Sequence, residues 1–167
     1  MAQVFHYIRV QTKLIDIMNR QLLATTSISI HATPAEVWEA LVNPEIIKQY
    51  MHGTETRSDW VLGSPITFSG EYQGKPYIDK GNILEIYPYR VLSYSYWSSL
   101  SGTDDFEDNY AHITYHISEF DEETTLVITQ DNLADDEAVI HAEENWMNTS
   151  KAIKNIVESH SVLNEKK

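Results

Sequence analysis

The stretch from about Asp135 to His160 constrains the fold more than any other part of the chain. Its apolar and small residues recur on one helical face: Val139, Ala142, Trp146, Thr149, Ile153, Ile156 and His160. This spacing predicts one long amphipathic helix at the C-terminal end. Asp135, Asp136 and Glu137 lie at its start, where the helix dipole favours negative charge.

Segments with strand-like alternation precede this helix. They are TTSISIH (25–31), ITFSGEY (66–72), NILEIY (82–87), RVLSYSYW (90–97), YAHITYHI (110–117) and TTLVITQ (124–130). Glycine and proline turns separate most of them, with Gly81 directly before NILEIY, so the pattern predicts an antiparallel meander of about six strands. Such a sheet can bury the apolar face of a single long helix only by curving round it.

The residues 31–50, HATPAEVWEALVNPEIIKQY, place two prolines directly after residues that cap helices. Thr33 and Glu36 have the spacing of a capping box, with Pro34 at the first helical position. A residue before proline is displaced from helical geometry, so Asn43 must end one helix and cap the next. The prediction is two short helices after the first strand. The whole order predicts an α+β helix-grip fold: a curved antiparallel β-sheet wrapped round a long C-terminal α-helix.

Size and composition exclude several classes of protein. With 167 residues and 42% hydrophobic content, the chain is expected to form one core without staples. It contains no cysteine, which excludes thiolate sites and fits a reducing cytoplasm, and no apolar run long enough to span a membrane. The net charge of −13 argues against nucleic-acid binding. We therefore expect an acidic, cytoplasmic protein.

The boundaries of the domain follow from these elements. We expect a helix-grip domain over residues 25–160, a short tail over 161–167, and an N-terminal extension over 1–24. Within the extension, residues 4–10 have strand character and residues 14–22 have helical spacing, so its structure and role stay open. Met18 is an alternative natural start.

The order and spacing of several motifs carry a resemblance. They are ATPAEVWEALVNPE, Gly63 followed by Ile66 and Phe68, GNILEIYP, RVLSYSY, ITYHI, TTLVIT and Trp146, over roughly residues 25–158. The chain resembles the START/Bet v-like (SRPBCC) superfamily, and within it the group named after the activator of the Hsp-90 ATPase. The resemblance implies a helix-grip fold with a hydrophobic pocket. One departure is Asn145, where the family often has glycine before the helix tryptophan.

Strand alternation indicates which side chains face this pocket. The inward-facing sets are Leu92, Tyr94 and Tyr96; Ile113, Tyr115 and Ile117; and Leu126, Ile128 and Gln130. The predicted ligand-binding residues are Phe68, Leu92, Tyr94, Tyr96, Tyr115, Gln130 and Trp146, with Met147 as a further candidate. They would form an aromatic-walled cavity for a small hydrophobic or aromatic molecule, lipid-like or polyketide-like. The alternative is that these side chains simply fill the core.

Metal and cofactor sites are not predicted. His112 and His116 are four residues apart, which on a helix would bring them to one face, but on a strand separates them by about 13 Å. The acidic loop containing Asp104, Asp105, Glu107 and Asp108 lacks the alternate spacing and glycine of a calcium loop. We interpret it as a solvated loop that could rim the pocket mouth.

Two other functions remain open besides ligand binding. A cyclase or hydrolase acting in the same pocket would need a general acid or base, for which Glu85, Glu143 and the pocket tyrosines are candidates. No nucleophile triad, phosphate loop or metal set accompanies them, so we assign no catalytic residue. The resemblance also implies a possible chaperone or other protein partner, as in an ATPase-activating interaction module.

Overall fold

A computed structural model describes the backbone of residues 22–164 and the side chains of residues 22–159. The predictions for residues 1–21 lie outside this range. The elements follow in the order β1 (Ala24–Ile30), α1 (Pro34–Val42), α2 (Pro44–Tyr50), β2 (Glu55–Ser58), β3 (Pro65–Tyr72), β4 (Lys75–Tyr87), β5 (Val91–Ser98), β6 (Ala111–Phe120), β7 (Glu123–Gln130) and α3 (Asp136–Asn164). A single 3₁₀ turn, Glu107–Asn109, lies between β5 and β6.

The seven strands form one antiparallel sheet in the order β1-β7-β6-β5-β4-β3-β2. Its concave face carries the core, where Ile30, Leu92 and Ile128 are at most 1% exposed. Helix α3 crosses this face and α1 and α2 close one end of it. The predicted helix-grip fold is therefore confirmed. No helix of residues 22–164 is both long and apolar enough to cross a membrane.

The two short helices begin and end where the sequence predicts. The Thr33 hydroxyl accepts a 3.3 Å hydrogen bond from the Glu36 amide, and the Glu36 carboxylate accepts one of 2.8 Å from the Thr33 amide. Asn43 has extended backbone angles, and its side-chain oxygen accepts from the Glu45 amide at 3.0 Å. Both capping devices of the sequence are thus present, and they turn Trp38 and Leu41 into the core.

The described residues contain seven strands, one more than the six strand-like segments of the sequence. The additional strand, β2, reads ETRS and has no apolar alternation, so only Thr56 of its four residues is buried. It forms because it pairs with β3, where Thr56 lies opposite Phe68. Strand β4 also begins earlier than predicted, at Lys75, so that Gly81 lies inside it.

The outer edge of β1 is covered by side chains of α3. Glu143 accepts a hydrogen bond from the Thr25 amide at 3.1 Å, and Glu158 accepts one from the His31 amide at 2.8 Å. Between them, the Lys154 ammonium donates to the Ser29 carbonyl at 2.6 Å. These contacts fix the helix along the sheet and satisfy backbone groups that an edge strand would otherwise expose.

Candidate functional site

A cavity of about 440 Å³ lies between the concave face of the sheet and the first half of α3. It exists because α3 presents small residues there: Ala138 and Ala142, four positions apart, both line it. Further along the helix, Ile153 and Val157 are buried and fill the corresponding space. The helix therefore packs tightly at one end and leaves room at the other.

Five aromatic rings form a continuous wall of this cavity. Trp146 meets Tyr115 edge to face at 6.0 Å, and Tyr115 lies 6.1 Å from Tyr94. Phe68 continues the series, 5.6 Å from Tyr94 and 6.2 Å from Tyr96 between ring centroids. Such tilted and edge-to-face pairs are favourable arrangements of aromatic rings. The wall presents apolar surface interrupted by the hydroxyls of three tyrosines.

The polar atoms of the wall are held by hydrogen bonds. The indole Nε1 of Trp146 donates to Oε1 of Gln130 at 2.7 Å. The hydroxyls of Tyr94 and Tyr115 are 3.2 Å apart and share one hydrogen bond. On the opposite side, the Tyr96 hydroxyl donates to Oδ2 of Asp79 at 2.5 Å. These bonds fix the orientation of the side chains that take part in them.

The tyrosines of the interior are held neutral. Burial raises the pKa of Tyr115 to about 12. Burial raises the pKa of Tyr94 well above its ordinary value, and that of Tyr96 is raised by burial and by its hydrogen bond to Asp79. At neutral pH these phenols therefore serve as hydrogen-bonding groups and not as bases.

Six of the seven predicted ligand-binding residues lie around the cavity: Phe68, Tyr94, Tyr96, Tyr115, Gln130 and Trp146. Leu92 faces inward but does not line the cavity; it is 1% exposed within the core, beside Ile86 and Tyr115 on the neighbouring strands. Met147 is turned to another face of α3, where it lines a surface groove with Thr25 and Glu143.

The remaining lining residues are outside the predicted ligand-binding set: Met51, Ile113, Leu133, Ala138, His141, Ala142, Asn145 and Thr149. Ile113 was nevertheless predicted to face the pocket. Ala142 and Thr149 belong to the predicted apolar stripe of α3, and Asn145 lies at the cavity where the related group often has glycine. The sequence could have indicated Ala138, because it lies four residues before Ala142 and therefore on the same face of the helix. Met51 follows α2, and its position depends on how that helix packs.

The two candidate carboxylates lie away from the cavity, whereas the candidate tyrosines line it. Glu85 is exposed on β4, and Glu143 is engaged by the Thr25 amide at the edge of β1. Among residues 22–159, no aspartate or glutamate lines the cavity. The acidic loop also lies elsewhere: Asp105 pairs with Lys80 and accepts from Tyr110, and Lys80 lowers the pKa of its carboxyl.

The two histidines of HITYH do not converge. His112 lies 3.0 Å from the Asp131 carboxylate, measured from Nδ1 to Oδ2, whereas His116 is exposed. Within residues 22–159, no three histidine, aspartate or glutamate side chains are grouped so that they could hold a metal ion.

Known structures share this architecture. Protein ChR145 from Cytophaga hutchinsonii is 39% identical, with a TM-score of 0.75 over 84% of this chain and 96% of that one. The Aha1 dimer from Colwellia psychrerythraea is 14% identical, with a TM-score of 0.64 over 81% and 96%. DynU16, from the dynemicin biosynthetic locus, is 15% identical, with a TM-score of 0.68 over 83% of this chain and 48% of that one.

The sequence also matches a model of a protein family over most of its length. No curated protein matches the chain. The family model described as Activator of Hsp90 ATPase homolog 1-like protein matches residues 31–158, which include every element from α1 to β7 and most of α3. The chain therefore belongs to the Activator of Hsp90 ATPase homolog 1-like protein family.

Proposed function

We propose that the protein binds a small, largely apolar molecule, lipid-like or polyketide-like, in the cavity between the sheet and α3. The observation that carries the proposal is the continuous wall of five aromatic rings around a space of about 440 Å³. Small-molecule sites typically enclose roughly 300–1,000 Å³ and combine apolar walls with a few fixed polar groups. Both conditions are met here.

The arrangement of polar groups favours binding over catalysis. The lining tyrosines are neutral at physiological pH, and no carboxylate of the described side chains lines the cavity. His141 is the histidine among the described lining residues; its side chain is 66% exposed and lies near Glu137 and Glu144 of the same helix. A general acid or base must reach the reacting atoms, and no group of the inner wall is prepared for this role.

The proposal predicts stabilisation by ligands of one chemical class. We would measure the melting temperature with fatty acids, sterols, flavonoids and aromatic polyketides. A ligand at about 100 times its Kd stabilises the folded state by about 2.7 kcal/mol. For a domain of this size the melting temperature rises by roughly 5–10 °C. A flat response to all four classes contradicts the proposal.

A cavity-filling variant locates the site. Ala142→Phe places a ring in the cavity and should abolish the shift produced by the best compound, since the space is then occupied. Asn155→Phe introduces the same side chain at an exposed position of α3 and should leave the shift unchanged. Equal shifts in both variants would show that the compound binds elsewhere.

A second candidate is contact with a chaperone ATPase, which the name of the family favours. It predicts that the protein increases the ATPase rate of an Hsp90-type chaperone in a saturable manner without any small molecule present. The Ala142→Phe variant separates the two functions, because filling an internal cavity should not affect a surface contact. If Ala142→Phe no longer stimulates the ATPase, the cavity is required for the contact with the chaperone.

A further inference from the structure

We propose that the cavity selects a neutral ligand and holds it through a carbonyl oxygen, which the amide NH₂ of Gln130 and a hydroxyl of the Tyr94–Tyr115 pair bind. This inference rests on the proposed function and specifies the chemical class of its ligand. It follows from which hydrogen-bonding capacity remains unused on the wall of the cavity.

The orientation of the Gln130 amide is fixed by its neighbour. An indole N–H can only donate, so the Gln130 atom 2.7 Å from Trp146 Nε1 must be the amide oxygen. The NH₂ group is then directed away from the indole. It donates no hydrogen bond to any residue within 22–159, and Gln130 lines the cavity. Two N–H donors are therefore available to a ligand.

The tyrosine pair adds a further donor. Tyr94 and Tyr115 have two hydroxyl protons between them, and their mutual 3.2 Å contact uses one. The second proton remains available whichever of the two hydroxyls donates. Both side chains line the cavity, and Tyr94 and Gln130 lie on either side of Ile113 across β5, β6 and β7. Unused donors are thus concentrated on this part of the wall, and they require an acceptor.

The charge of the residues around the cavity determines which hydrogen-bond acceptor group of a ligand can bind there. Within residues 22–159, no lysine or arginine lines the cavity, and the chain carries a net charge of −13. A carboxylate or phosphate group would lose its hydration there without gaining a cation. A cationic ligand would place its positive charge beside the unused N–H and O–H donors. No carboxylate among the described lining residues would pair with that charge. A ketone or quinone oxygen accepts from the donors without either cost.

Four compounds with one ring system test this inference: fluorenone, fluorene, fluorene-9-carboxylate and 9-aminofluorene. Their Kd values would be measured at pH 7 by NMR titration, with the indole N–H resonance of Trp146 as a reporter within the cavity. We expect fluorenone to bind at least about tenfold more tightly than each of the others, the effect of one unsatisfied buried donor. Equal binding of fluorenone and fluorene, or tighter binding of a charged compound, overturns the inference.

Substitutions of Gln130 assign the preference to its amide. Gln130→Glu keeps an oxygen for Trp146 and removes the NH₂ group, and Gln130→Met removes both while retaining the length of the side chain. In both variants the ratio of the fluorene Kd to the fluorenone Kd should fall at least fivefold. Gln49→Glu, the same change at an exposed position of α2, should retain the full preference. A preference unchanged in Gln130→Met overturns the role of Gln130.

The outcomes separate this inference from the proposed function. Binding of fluorene and fluorenone with equal Kd values, abolished by Ala142→Phe, leaves the cavity as a binding site and rejects the carbonyl preference. If none of the four compounds binds, and the wider screen is also flat, the proposed function fails and the inference fails with it.

Discussion

The indole nitrogen of Trp146 lies 2.7 Å from the side-chain oxygen of Gln130, and this hydrogen bond joins helix α3 to strand β7 at the wall of the cavity. Trp146→Phe removes the donor and leaves the partly buried amide oxygen unpaired. We expect the free energy of unfolding to fall by about 1–3 kcal/mol, measured by urea denaturation.

Trp97→Phe is the matched control for that experiment. Trp97 on β5 also donates through its indole nitrogen, to the hydroxyl of the loop residue Thr103 at 3.2 Å, but this bond is exposed. Its loss should change the free energy of unfolding by less than about 1 kcal/mol. Similar losses in the two variants would show that the bond between Trp146 and Gln130 has no special part in fixing the helix.

The buried tyrosines predict a loss of stability at alkaline pH. In an unfolded chain a tyrosine titrates near pH 10, whereas burial raises the pKa of Tyr115 to about 12 and that of Tyr50 and Tyr94 well above its ordinary value. A raised pKa in the folded state means that the stabilisation is complete below about pH 10. It is lost progressively as the pH rises to about 12 and beyond, because the unfolded state then binds fewer protons.

The measurement is the free energy of unfolding at several pH values between 8 and 12. The contribution of Tyr115 over this range should be on the order of 2 kcal/mol, and Tyr115→Phe should reduce the pH dependence accordingly. A free energy that is constant from pH 9 to 12 would mean that these phenols ionise as easily in the folded protein as in the unfolded chain.

Gly81 allows strand β4 to approach β5 more closely than any other residue would. A Cβ atom at this position would lie 1.5 Å from the backbone oxygen of Ser95, so the two strands would have to separate. Next to it, the register between β4 and β5 shifts between Ile83 and Glu85. Gly81→Ala should therefore lower the free energy of unfolding by about 3 kcal/mol or more, measured by chemical denaturation.

Gly70→Ala provides the comparison. Its Cβ would meet the hydroxyl end of the Tyr77 side chain at 2.8 Å, and a side chain can shift more easily than a paired backbone. We expect a smaller loss, of about 1 kcal/mol. If both variants lose the same amount, the backbone contact of Gly81 does not limit the approach of the strands.

Local rules explain why most of this fold could be predicted from the sequence. Thr33, Asn43 and the two prolines act on neighbouring residues, so the short helices follow from the sequence alone. Period-two alternation likewise assigned Tyr94, Tyr115 and Gln130 to the inner face. Strand β2 has no such alternation and could not be predicted in this way. It forms because it pairs with β3.

The cavity itself depends on contacts between distant residues. Leu92 and Tyr94 share a face of β5, but only Tyr94 reaches the space that α3 leaves open. That space depends on Ala138 and Ala142, and alternation within a strand contains no information about the helix that crosses it. The need for glycine at position 81 also depends on a distant residue, because the carbonyl oxygen of Ser95 on β5 leaves no room for a Cβ atom there.

Asp79 carries a carboxylate oxygen whose burial is not compensated. Its Oδ2 accepts from the Tyr96 hydroxyl at 2.5 Å, whereas Oδ1 is enclosed and has no hydrogen-bond partner within the described part of the chain. A charged group in this condition lowers stability. Asp79→Asn retains an acceptor for Tyr96 and removes the charge, so the free energy of unfolding at pH 7 should rise by about 1 kcal/mol.

Two further variants test whether the buried charge of Asp79 causes this change in the free energy of unfolding. Asp79→Leu removes the acceptor and should leave the buried Tyr96 hydroxyl unpaired, which offsets the gain from removing the charge. Asp59→Asn, the same change at an exposed position, should have no effect. If Asp79→Asn raises stability but weakens the binding of the compound found in the screen, the charge is retained because it orients Tyr96 for the ligand. A fall in stability would instead show that the carboxylate is compensated in the folded protein.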